Sequence, residues 1–147
     1  MQIWIDIRHK DPGVSEGEVR RLASRVLEGL GLLKAELSVV LVDDQEITGL
    51  NLQYLGRNEP TNVIAFSMRE GEAGHISPHL LGDVVISLDT SRREAREAGV
   101  PSEERLAALL AHGVLHLLGH DHDLGTVEAR RMEAEEQRLA ALLKGGA

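Results

Sequence analysis

The sequence predicts an α/β (α+β) fold, a single small mixed β-sheet of about four strands packed with about five helices around a central buried helix. Short runs of branched aliphatic residues, bounded by polar residues, Gly or Pro, mark the strands. Longer segments with apolar residues at helical spacing mark the helices. The two kinds follow one another as β-α-β-α-β-β-α-α-α, an order that calls for one sheet with helices packed on it. The order of strands within that sheet does not follow from periodicity.

Gln2–Arg8 alternates Ile3, Ile5 and Ile7 with Trp4, Asp6 and Arg8, the period of a half-buried strand. Ser15 opens a helix, and Glu18 three residues later completes a capping box. Val19, Leu22, Ala23, Val26, Leu27 and Leu30 form its apolar stripe, and Gly31 closes it. Leu37–Val42 is a second strand. Asp43 with Glu46 caps a helix carrying Ile47, Leu50 and Tyr54, ended by Gly56. Asn62–Phe66 is a short strand, Glu70–His79 a loop by composition, and Leu81–Leu88 a stronger strand centred on Val84, Val85 and Ile86. The next helix is expected to start near Asp89 or Thr90 and to run to Ala98, punctuated by Gly99 and Pro101. Ser102 is expected as the N-cap of the following helix, with Glu103 and Glu104 in its first turn and Gly119 as its stop. A last helix, Thr126–Leu143, carries Met132, Leu139, Leu142 and Leu143 on one stripe.

At 147 residues the chain has the size of one domain, expected to span 1–147. It has no cysteine, which excludes disulfides and thiolate metal sites and fits a reducing compartment. The segment MQIWIDIRHK lacks the basic and apolar regions of a secretion signal, and no apolar run approaches the roughly 18 residues of a membrane span. The expectation is a soluble cytoplasmic protein with no membrane association. A net charge of −8 argues against a general nucleic-acid binder but leaves room for a local basic groove. Trp4, Tyr54 and Phe66 are the only aromatics, which disfavours a base-stacking platform.

The densest chemistry lies in HGVLHLLGHDH, residues 112–122. On a helix, His112 and His116 lie about 40° apart around the axis and about 6 Å along it, so their imidazoles share a face. Gly119 permits a sharp turn that can return His122 to that face as a third ligand. Three neutral imidazoles with an open fourth position make a catalytic zinc site. A lone histidine on an apolar helix is ordinarily a satisfied core residue; three at this spacing around a glycine turn point to metal. His120 is left out, because side chains of adjacent residues diverge. Asp121 and Asp123 are candidates for orienting an imidazole. Leu106, Leu109, Leu110, Val114, Leu115, Leu117 and Leu118 leave almost no polar face on this helix, so the histidines are expected to be buried with it.

The same spacing occurs in metzincin proteases, which place a glutamate general base directly after the first histidine. Here that position is Gly113, so the ligand pattern is present and the protease base is not.

HGVLHLLGHDH closely resembles the signature of the YbeY family, bacterial zinc-dependent endoribonucleases of ribosomal RNA maturation. Leu50-Asn51 with Tyr54, the block from Pro60 to Phe66, and Leu81-Gly82-Asp83-Val84-Val85-Ile86 are similar to other blocks of that family. The resemblance covers nearly the whole chain. It implies one Zn²⁺ per chain held by His112, His116 and His122. It implies single-strand-specific cleavage of RNA in 16S rRNA 3′-end maturation and ribosome quality control. The partners it implies are ribosomal RNA, small-subunit ribosomal proteins and assembly GTPases.

One position departs from the family. The tyrosine equivalent is usually followed by an arginine, whereas Tyr54 is followed by Leu55 and the next cation is Arg57. Leucine cannot contact phosphate as a guanidinium does. Arg57 is therefore the candidate substrate-binding residue, against its plainer reading as a solvated loop charge. No residue stands out as general base; the catalytic residues stay unassigned. Arg92, Arg93 and Arg96, interleaved with Glu94 and Glu97, read first as a solvated helix face paired along the helix, and second as a phosphate-tracking patch. His75 and His79 read as exposed loop residues, Asp83 as a structural hydrogen-bonding group, and Thr61 and Asn62 as turn formers. Two further readings stay open: a non-enzymatic ribosome-assembly protein with a structural metal, and a metalloprotease working without a side chain at Gly113.

Overall fold

The computed structural model describes residues 1–68, 79–119 and 125–145. Strand β1 (Gln2–Ile7) leads to helix α1 (Glu16–Gly29), strand β2 (Glu36–Val42) and helix α2 (Asp44–Leu55). Strands β3 (Val63–Ser67) and β4 (Leu80–Ser87) follow, then helices α3 (Leu88–Ala98), α4 (Ser102–Leu117) and α5 (Thr126–Gly145). Most of the expected loop Glu70–His79 lies outside the described residues.

The strands form one mixed sheet in the order β1-β2-β4-β3. β1, β2 and β4 run parallel, and β3 pairs antiparallel to β4 as an edge strand. Because side chains alternate across a strand, the register sorts the residues onto two faces. Ile3, Leu37, Val39, Leu41, Val84 and Ile86 pack in the main core with α1, α4 and α5. Val42, Val85 and Ile64 pack under Ile47 of α2 on the opposite face. Trp4, Ser38, Asp83 and Phe66 form one cross-strand row on the face that carries α2.

The caps follow the sequence with two corrections. Ser15 and Glu18 form the capping box, Asp43 accepts from the Glu46 amide, and Gly56 ends α2 at φ +71°. Helix α3 starts earlier than expected, at Leu88. The Ser87 hydroxyl accepts from the Thr90 amide and is the N-cap, leaving Asp89 inside the first turn to bond elsewhere. Ser102 is not an N-cap. Pro101 holds that position in an extended conformation, and its carbonyl accepts from the Glu104 and Arg105 amides.

Helix α4 is the central element. Its Leu106, Leu109, Leu110, Val114, Leu115 and Leu117 are all buried. Arg105, Ala108, His112 and His116, at spacings of three and four, form its partly accessible stripe. The expectation that the histidines are buried is thus corrected: the side chain of His112 is 28% exposed. Apolar side chains bury the rest of the helix, and the imidazoles share the accessible stripe with Arg105 and Ala108.

Candidate metal centre

His112 and His116 are brought together one helical turn apart. Their rings meet edge to face with centroids 4.5 Å apart, and the two Nε2 atoms are 3.0 Å apart. Neighbouring ligand atoms on one tetrahedral zinc, with bonds of about 2.0–2.1 Å, stand about 3.3 Å apart. The pair is therefore near the spacing at which both nitrogens serve one ion. Two lone pairs facing at this distance repel, and a shared proton or a shared cation relieves that repulsion.

The other ring nitrogen of His112 is also committed. Nδ1 lies 2.5 Å from Oε1 of Glu136 on α5. A carboxylate only accepts hydrogen bonds, so the geometry assigns a proton to Nδ1, the tautomer in which Nε2 keeps its lone pair. This contact spans 24 residues of sequence. Motif reading missed Glu136 and turned instead to Asp121 and Asp123, which lie outside the described residues. A signal was nevertheless present. Met132 and Leu139 are fully buried, and Glu136 falls between them at i+4 on that same inward stripe.

Gly113 positions the pair. A Cβ there would lie 2.6 Å and 3.0 Å from the Val84 methyls and 3.3 Å from a Val63 methyl. The helix thus lies close on β4 and β3, turning its histidines away from the sheet. Gly82, at φ +136°, is under the same helix; a side chain there would collide with the Phe66 carbonyl. At the helix end the Leu117 carbonyl accepts from the Ser67 hydroxyl at 3.5 Å. Gly119 has φ +95°, the left-handed turn foreseen for it.

The remaining candidates divide. His122, with His120, lies outside the described residues, and no group of three metal-ligating side chains forms among those described. Arg57 lies in the exposed segment after α2, and no side-chain hydrogen bond joins it to the histidines. Leu55 is 59% exposed and Tyr54 56%, its ring edge-on to Phe66 with centroids 5.0 Å apart. Asn51 is buried and donates to the Glu59 carbonyl at 2.8 Å, tying down the loop that carries Arg57. Asn62 is more than a turn former. Its amide donates to Glu94, and its Oδ1 accepts from the Val63 amide.

The arginines of α3 are corrected in the same way. Arg92 donates to the Asp11 carbonyl, Arg93 pairs with Asp44 at 3.2 Å, and Glu94 takes Arg105 at 2.9 Å. These contacts, two of them ion pairs, join α3 to other parts of the chain, where the sequence suggested pairing along the helix. Asp83 has no side-chain hydrogen bond among the described residues, against the structural bonding expected of it. His79 is exposed as expected, and His75 lies outside the described residues.

The fold and the imidazole pair define an α/β protein with a histidine centre on its middle helix, chemically suited to a divalent metal. The model of the endoribonuclease YbeY family matches residues 4–144. Proteins named endoribonuclease YbeY are similar over nearly the full length. That of Syntrophotalea carbinolica is 50% identical over 143 residues, covering 97% of this chain and 95% of its own. That of Geobacter sulfurreducens is 47% identical over 147 residues, covering 99% and 98%. The chain belongs to the YbeY family. The solution structure of TM1509 from Thermotoga maritima shares the fold, with a TM-score of 0.68 at 23% identity, over 98% of this chain and 90% of that one. No helix among the described residues is long and apolar enough to cross a membrane.

Proposed function

We propose that this chain is a zinc-dependent endoribonuclease that cleaves single-stranded RNA in ribosomal RNA processing, at the 3′ end of the small-subunit rRNA and in ribosome quality control, in the cytoplasm. The observation that carries this reading is the pair of convergent Nε2 atoms in a chain of the endoribonuclease family. His112, His116 and His122 would hold one zinc ion. Bound there, zinc would supply Lewis acidity toward a phosphoryl oxygen and a water of lowered pKa. The chain itself supplies positioning: α4 fixes both imidazoles, and Gly113 places no carboxylate beside them. Arg57 is exposed and has no side-chain ion pair among the described residues, which suits it to a substrate phosphate. Small-subunit ribosomal proteins and assembly GTPases are the proposed protein partners.

Leu55 favours one other reading, a ribosome-assembly protein with a structural metal, because an exposed leucine stands where the family usually has arginine. Cleavage of a single-stranded RNA spanning the small-subunit rRNA 3′ end separates the two. Wild type is expected to cleave, and His116→Ala or a chelator to abolish it. Cleavage that is equal in His116→Ala and insensitive to chelator would overturn the proposal. Zinc-bound wild type without cleavage would favour the assembly role.

A further inference from the structure

We propose that Glu136 is a positioning residue, holding His112 as the Nδ1–H tautomer so that its Nε2 faces His116 as a metal-ligand atom. The inference rests on the metal reading above and adds a residue from another helix to it. Glu136 lies on the inward stripe of α5 between fully buried Met132 and Leu139, with its side chain 29% exposed, so it gives up part of its hydration and a hydrogen bond offsets that loss. His112 Nδ1, 2.5 Å from Oε1, supplies such a bond. The contact is held by a docked helix. Arg138 donates to the Gly29 carbonyl at 2.9 Å, and Arg25 donates to the Leu142 and Leu143 carbonyls at 3.1 and 3.0 Å. Gly29 lets the Leu139 side chain approach: a Cβ there would be 2.9 Å from Leu139 Cδ2. α5 therefore anchors on α1 and presents Glu136 to α4 from a fixed position. Metal-binding imidazoles commonly donate their second N–H to such a carboxylate, which fixes tautomer and ring orientation and raises ligand basicity.

The test uses the full-length protein in two measurements, zinc affinity by competition with a chelator and the ¹⁵N shifts of the His112 imidazole in metal-free protein. Wild type is expected to show a protonated Nδ1 and an unprotonated Nε2. Glu136→Ala should lose that distinct pattern and bind zinc about 10–100-fold more weakly. Glu136→Gln keeps an acceptor oxygen without the charge. It should keep the tautomer, with a smaller loss of affinity, a rescue that a packing role would not produce in the ¹⁵N spectrum. Wild type that takes up zinc, with affinity and tautomer unchanged in Glu136→Ala, overturns the proposal alone. Wild type that takes up no zinc overturns the metal reading and this proposal together.

Discussion

A methyl group added at position 113 would sit 2.6 Å from Val84, in a core already filled by branched side chains from two strands. Overpacking of this kind costs about 1–3 kcal/mol. Alanine gains about 1 kcal/mol over glycine in a helix interior, so Gly113→Ala is expected to be destabilised by the excess of overpacking over that gain, read as a lower denaturant midpoint; a raised midpoint would mean that α4 does not lie this close to the sheet. The same missing side chain removes the protease base, so one residue records both the packing and the chemistry. The absent carboxylate was legible in the sequence, because a motif is local. The contact with Val84 was not, because it joins residues 29 positions apart in two elements whose packing periodicity leaves undetermined. Leu55 is the other decisive single residue. If that position contributes to RNA cleavage, Leu55→Arg should raise the rate in the oligonucleotide assay. An unchanged rate would leave Arg57 as the cation to test. Glu136 shows a different limit: its stripe position was readable, but its partner was not.

Helix α3 shows what capping patterns do and do not reveal. Ser87 lies at the end of a strand pattern, so its service as N-cap to α3 was masked by its neighbours Val85 and Ile86. The Asn62–Glu94–Arg105 network ties the residue before β3 to α3 and α4 through contacts 32 and 11 residues apart in sequence, pairings that hydrophobic periodicity does not expose. Arg93 belongs to this kind of bracing. It pairs with Asp44 and bonds to Thr90 while remaining 46% exposed, so its contribution is that of a surface pair, about 0.2–1 kcal/mol. Arg93→Ala should lower the unfolding midpoint slightly and leave RNA affinity unchanged. A fall in RNA affinity at unchanged stability would restore the phosphate-tracking reading of α3.

The whole molecule is organised by its sheet, with helices on both faces and the histidines on the middle helix of the more heavily covered face. The order of elements was legible from alternating periodicities; the strand order β1-β2-β4-β3 was not, because pairing depends on contacts between distant segments. Where the parallel strands end, Asp44 and Asp89 link α2 and α3. Burial pushes the Asp44 carboxyl up, but the Ser87 and Thr90 hydroxyls and the Arg93 guanidinium together bring it below the ordinary 3.8. For Asp89 burial again pushes up, and His9 with the Asp44 amide brings it below 3.8. Carboxylates with lowered values stabilise the fold above the ordinary value and lose that contribution as pH falls through their folded values. Stability should therefore drop as pH falls below about 4, less steeply in Asp44→Asn than in wild type. Parallel acid limbs would contradict this assignment. The central claim concerns the histidines, and elemental analysis of gently purified protein tests it most directly. Wild type is expected to carry about one zinc per chain, and folded His112→Ala and His116→Ala close to none. Metal-free wild type, or variants that retain full zinc, would contradict it.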